Sequence, residues 1–201
     1  MSRLTRSRRR AGLLAIAFGG AVAVAGPSTA GAGTADPGKF YGVYVGVAEV
    51  EDLGGGEESS RDMDIEIEPF HEEGFQVHWI NVIKVDGRRD VPGVRRNVQT
   101  AFFEPVDGQN FYVEVEADNP FREREETYPM QGHPVRWASI DGPTMHVYSF
   151  VVLEDGRYEL QIYDRVLTET GLDINFQRLV DGALVREITG TTVRTAEPAA
   201  P

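Results

Sequence analysis

The chain has 201 residues, no cysteine, 20 Lys plus Arg against 32 Asp plus Glu, and a formal net charge of −12. The absence of cysteine excludes disulfides, thiol catalysis, zinc–thiolate sites and a lipid-modified cysteine anchor, and the acidic balance gives no electrostatic reason to bind nucleic acid or an anionic membrane. The length allows one domain or, at most, a small pair.

The chain opens with Arg3, Arg6 and Arg8-Arg9-Arg10, then a charge-free apolar run from Ala11 to Ala25, then Ala-x-Ala sites at Ala23–Ala25 and Ala30–Ala32. That order predicts a cleavable export signal over residues 1–32. The run is shorter than the roughly 20 residues a membrane-spanning helix needs, so no stable membrane insertion is expected after cleavage. Arginines ahead of Leu13-Leu14 leave both the general and the twin-arginine export routes open. Removing five arginines and no acid takes the net charge from −12 to about −17. The expected location is the periplasm or the medium of a bacterium.

Gly, Pro, Ala and Thr then form a flexible leader, 33–39, and a similar tail is expected at 195–201. Residues 40–194 between them read as strand, turn, strand throughout. Tyr41–Val50 comes first. Met63, Ile65 and Ile67 then alternate with acids, and Phe75, Val77, Trp79, Ile83 and Val85 share one face of the next run. Further runs cover Val98–Val106, Phe111–Ala117, Val135–Ile140 and Met145–Leu153, and then Tyr158–Leu167, Leu172–Val180 and Ala183–Val193. Asp-Gly pairs at Asp155-Gly156 and Asp181-Gly182 supply the positive φ angles of type I′ hairpins; Asp86-Gly87, Asp107-Gly108, Asp141-Gly142 and Thr170-Gly171 mark other reversals. About ten antiparallel strands joined sequentially predict an up-and-down meander, which removes its edges by closing into a barrel. A two-sheet sandwich is the alternative. Asp118–Pro134 breaks the rhythm: a polar seventeen-residue segment with three prolines, too long for an ordinary connection and placed as a lid or rim.

Two-residue loops pair their flanks in order, so the Asp-Gly turns predict register. Leu153 would face Tyr158 and Val151 would face Leu160, which turns Tyr158, Leu160, Ile162 and Val166 inward and carries Asp164 with them. The same logic turns Phe176, Arg178 and Glu187 inward. Buried charges must pair or meet water, so Asp164, Arg178 and Glu187 form either an ion-pair plug or the polar floor of a ligand cavity. This register leaves Tyr148 and Phe150 on an outward face with no element to cover them.

His71-Glu72-Glu73 and His78 do not have the spacing of a helix-borne metal motif, and Ser139 and Ser149 lie on strands without a nucleophile elbow. No metal, cofactor or catalytic residue is therefore assigned. Arg88-Arg89 and Arg95-Arg96 in one connection, and Arg122 and Arg124 in the long one, form basic spots that pair with adjacent acids or rim a mouth for an anionic group.

Gly42-Val43-Tyr44 on the first strand and Arg194 past the last resemble the lipocalin-like (calycin) barrels, which open with a Gly-x-Trp signature whose aromatic packs near a late arginine. Tyr stands here where Trp is usual, and Arg178 or Arg186 also fit the late arginine. The resemblance implies a small apolar or amphipathic ligand held non-covalently. The cavity residues expected are Trp79, Tyr158, Asp164, Phe176, Arg178 and Glu187, with Arg122, Arg124 and Tyr128 at the rim. Two other readings remain: an envelope or extracellular interaction protein with a filled barrel and no ligand, and a barrel enzyme using Asp164 and Glu187 as acid and base. The oligomeric state is open.

Overall fold

The protein is described by a computed structural model over residues 36–53, 59–106, 109–116 and 128–196; the expected signal, 1–32, lies outside these. Ten strands form: β1 (Gly42–Asp52), β2 (Ser59–Phe70), β3 (Gly74–Ile83), β4 (Arg95–Pro105), β5 (Phe111–Val115), β6 (Val135–Asp141), β7 (Thr144–Val152), β8 (Tyr158–Leu167), β9 (Gly171–Val180) and β10 (Ala183–Ala196). Each pairs antiparallel with its chain neighbours, and β10 pairs with β1 to close the barrel. Closure leaves no edge strand exposed. The expected meander is what forms, and the sandwich is not.

Regular structure reaches past residues 40 and 194 at the two ends of the barrel. Pro37–Phe40 is a short 3₁₀ turn, with the Asp36 carboxylate accepting from the Gly38 amide. Proline suits such a turn because its φ is already set and its missing N–H would find no partner there. At the other end β10 runs to Ala196.

Two hairpins decide which side chains point inward. Asp181 and Gly182 both take positive φ, 49° and 79°, and Val180 pairs with Ala183 as a two-residue type I′ turn requires. A bulge at Val185 then shifts the pairing by one residue: Arg186 lies opposite Arg178, Glu187 opposite Gln177 and Ile188 opposite Phe176. The other Asp-Gly pair closes differently. Only Gly156 has positive φ (82°), the Gly156 amide donates to the Leu153 carbonyl, and the Leu153 amide donates to the Arg157 carbonyl. Three residues make that loop, a type I turn followed by a glycine bulge. Val151 therefore faces Glu159, not Leu160.

A one-residue slip sends every side chain of a strand to the opposite face. On β8 the inward residues are Glu159, Gln161, Tyr163 and Arg165, while Tyr158, Leu160 and Ile162 look outward. The outward aromatics cover one another: Trp137 stacks on Tyr148 at 5.2 Å and Phe150 on Tyr158 at 5.9 Å. A second 3₁₀ turn, Pro129–Gln131, packs beside β7.

Because strands alternate in direction, the β1–β2, β3–β4, β5–β6, β7–β8 and β9–β10 connections gather at one end of the barrel. The entry turn and the remaining connections gather at the other. That second end is packed solid. Phe40, Tyr44, Ile67, Phe75, Phe103 and Leu172 are fully buried, with the Phe75 ring 5.1 Å from Phe103 and edge-on to Tyr112 at 5.0 Å. Such pairs add about 0.5–1.5 kcal/mol beyond their buried area.

A cationic cavity in the barrel interior

The solid end holds the contact that the resemblance implies. The Tyr44 hydroxyl donates to the Phe40 carbonyl at 2.8 Å and accepts from the Arg194 guanidinium, whose Nη2 lies 2.7 Å away and whose Nε lies 3.1 Å away. The same guanidinium sits over the Tyr44 ring, 5.3 Å from its centre, and its Nη2 donates to the Lys39 carbonyl. Arg194, not Arg178 or Arg186, is thus the late arginine packed on the first-strand aromatic. It ties the last strand, the first strand and the entry turn together beneath a lipocalin-like barrel. No family model, curated protein or solved structure matches the chain.

Under the other end lies a cavity of about 280 Å³, room for roughly nine waters at liquid density. Met63, Ile65, Ile174, Phe176 and Ile188 supply apolar lining from β2, β9 and β10. Four arginines dominate the rest: Arg61 from β2, Arg165 from β8, Arg178 from β9 and Arg186 from β10. Asn81, Asn97, Gln99 and Gln161 add amides, and Glu159 is the lining carboxylate.

The inward face of β8 is a chain of polar contacts. Tyr163 donates from its hydroxyl to Gln161 Oε1 at 2.6 Å, Gln161 Nε2 donates to Glu159 Oε1 at 2.5 Å, and Arg178 Nη2 donates to Glu159 Oε2 at 2.5 Å. Residues two apart on a strand share a face, which is why these side chains can line up. Burial pushes the Glu159 carboxyl upward, but the hydrogen bonds from Arg178 and Gln161 and the charges of Arg178 and Arg186 outweigh it and hold the group below its ordinary value. Arg186 pairs with Asp52 at 2.5 Å.

Arg61 and Arg165 have no carboxylate partner among the described residues. Arg165 is only 3% exposed, with its guanidinium 5.8 Å from the ring centres of both Trp79 and Tyr163. Its Nε and Nη1 are buried without a hydrogen-bond partner. Desolvation lowers its pKa to about 10, against smaller opposing effects of Tyr163 and Asp164. Desolvation also lowers Arg61, helped by repulsion from Arg186 and Arg95. The Nε atoms of Arg61, Arg178 and Arg186 are buried and unpartnered as well. An arginine left this way costs free energy unless water or a ligand reaches it.

Of the six expected cavity residues, Trp79, Phe176 and Arg178 line it. The other three do not. Tyr158 is outward and 40% exposed. Asp164 is outward and bonds His146 Nδ1 at 2.7 Å. Glu187 is outward and accepts from Gln177 at 3.3 Å. The slip at Gly156 and the bulge at Val185 account for Asp164 and Glu187, and both are removed as an interior acid–base pair. Arg122 and Arg124 lie outside the described residues. Tyr128 is exposed, between β5 and β6 on the connection at the cavity end, and does not line the cavity. Sequence reasoning missed Arg61, Arg165, Arg186 and Glu159. The signal was present: placing Tyr148 and Phe150 outward already implied that this part of the sheet does not follow a simple apolar-inside rule.

Proposed function

We propose that the protein is an exported binding protein that holds a small amphipathic molecule, non-covalently, in the barrel interior. The cavity carries this reading: apolar side chains and buried polar groups that lack partners line one space, a combination that suits a ligand with both an apolar body and a polar head group. Its sequence supports export, since basic, apolar and small-residue segments follow one another over residues 1–32 as in a signal. A free, acidic, cysteine-free barrel in the periplasm or medium fits both.

The interior speaks for a binder over a barrel of purely structural or interaction role, which gains nothing from burying unpaired arginines. Hydrolytic or acid–base chemistry lacks support in the cavity, where Glu159 is held ionised by Arg178 and not poised to exchange a proton. Native mass spectrometry of the mature protein, purified from its own host without denaturation, tests the proposal. The expected result is a second species heavier by one small molecule that is lost on collisional activation. A single apo mass, together with an unchanged melting temperature across a library of small amphipathic compounds, would sink it.

A further inference from the structure

The interior reverses the sign of the whole protein. Against a net charge of −12, the cavity gathers Arg61, Arg165, Arg178 and Arg186, with Glu159 and Asp52 beside them. Two of the arginines are neutralised, Arg178 by Glu159 and Arg186 by Asp52. Among the described residues Arg61 and Arg165 remain, and they leave two positive charges in excess in a space closed on its sides by the barrel wall. The acids on the outer face of β2, such as Asp62, answer outer cations: Asp62 meets Lys84 at 3.0 Å and Arg89 at 3.5 Å. They leave the interior excess in place.

We infer that the cavity is built for a compact organic dianion, whose two negative charges complete Arg61 and Arg165 while its ring or short apolar body lies against Ile65, Ile174 and Phe176. This rests on the reading of the barrel as a small-molecule binder and adds the ligand's charge and size. The Arg165 guanidinium lies against Trp79 and Tyr163 with its Nε and Nη1 buried and unpartnered, so its charge is already stripped of water and an anion in the cavity compensates it at little further desolvation cost. The cavity volume of about 280 Å³ excludes long acyl chains and admits a single ring with its head groups. Two carboxylates on one body, or one phosphate monoester carrying both charges, present the same chemistry.

Four probes of one shape separate these possibilities by calorimetry, at mildly alkaline pH where a phosphate monoester holds both charges: phthalate, phenyl phosphate, benzoate and benzamide. Phthalate or phenyl phosphate, whichever head group matches, should bind at least about tenfold tighter than benzoate, with benzamide weakest; tenfold corresponds to about 1.4 kcal/mol. The tighter of the two dianions names the source of the charge. Arg165→Met and Arg61→Met should each remove that advantage, bringing the dianion toward the affinity of benzamide for the same variant, whereas Arg165→Lys should keep part of it. If a variant fails to fold by circular dichroism, the unaltered protein decides: added salt should weaken the favoured dianion more steeply than benzoate. Benzamide binding as tightly as the dianions, or a salt-independent ratio, overturns the dianion and leaves the binding barrel standing. No probe binding while native mass spectrometry retains a neutral molecule does the same. No probe binding and no retained molecule removes both.

Discussion

On β2, Ile67 is fully buried at one end of the barrel, and Arg61, three inward positions earlier on the same face, lines the cavity at the other. The contrast repeats around the wall. At the solid end Phe40, Phe75, Phe103 and Met145 exclude water entirely, and the buried hydroxyl of Tyr44 is matched by Phe40 and Arg194. In the cavity β2, β8, β9 and β10 bring in four arginines, and among the described residues five buried guanidinium nitrogens have no partner. One end resembles a core that stabilises the fold; the other takes up part of that stability to hold a charged space open. Proteins commonly trade stability for a site in this way.

The comparison breaks first at Phe75. Its ring is 0% exposed and touches both Phe103 and Tyr112. Phe75→Ala should cost about 3–5 kcal/mol, the transfer of the ring plus the cavity it leaves, read as a lowered urea midpoint with an unchanged slope. A loss below about 1 kcal/mol would mean that the solid end is not where the stability resides.

How far the chain announced this arrangement depends on the feature. The ten strands were legible because alternation and Asp-Gly or Thr-Gly reversals recur along the whole domain, and ten sequential strands leave closure as the simplest way to satisfy the edges. Gly42, Tyr44 and Arg194 were legible as a contact because a late arginine answers a first-strand aromatic. Register was not. Leu153-Glu154-Asp155-Gly156-Arg157 can close as a two- or a three-residue loop, and the glycine takes positive φ in both, so composition alone does not choose. Nothing in Leu184-Val185-Arg186 marks a bulge. Each error moved a strand by one residue, and the cavity was therefore assigned Asp164 and Glu187 in place of Arg165 and Arg186. On β8 the rule that apolar faces point inward failed for a physical reason: the interior there is polar, and the outer face finds its burial in stacking between Trp137, Tyr148, Phe150 and Tyr158.

A substitution in the cavity should act in the opposite direction to Phe75→Ala. Arg165→Met keeps much of the side chain's volume, removes a buried charge without a carboxylate partner, and frees Trp79 and Tyr163 to pack on an apolar chain. In the ligand-free protein it should raise stability by about 1–2 kcal/mol, since apolar replacements of buried ionic groups are often stabilising on that scale. Chemical denaturation of both proteins, stripped of any ligand, measures it. A loss of stability would show that the guanidinium contributes through its contacts with the two rings, and that the two ends of the barrel are less different than their chemistry implies.

The smallest effect sharpens the comparison within the interior's polar groups. Two inward glutamates each meet an arginine, Glu159 with Arg178 at 2.5 Å and Glu114 with Arg136 at 2.8 Å, yet they shift oppositely from the ordinary 4.5. In Glu114 burial is the larger influence and raises the carboxyl despite Arg136; in Glu159 the hydrogen bonds and two arginine charges overcome burial and lower it. A lowered carboxyl contributes stability that is present above about 4.5 and lost as pH falls through its folded value. A raised one does the reverse: its contribution is present below about 4.5 and lost as pH rises through its folded value. Glu159→Gln should therefore destabilise near neutral pH, with the deficit closing as the medium is acidified below about 4.5. Glu114→Gln should stabilise near neutral pH, with the gain vanishing as pH falls toward about 4.5. Melting temperatures of the three proteins from neutral to acid pH give the two difference curves. Curves of the same sign would mean that the cavity's excess positive charge does not reach Glu159, and that the arginines lie in water, screened from one another.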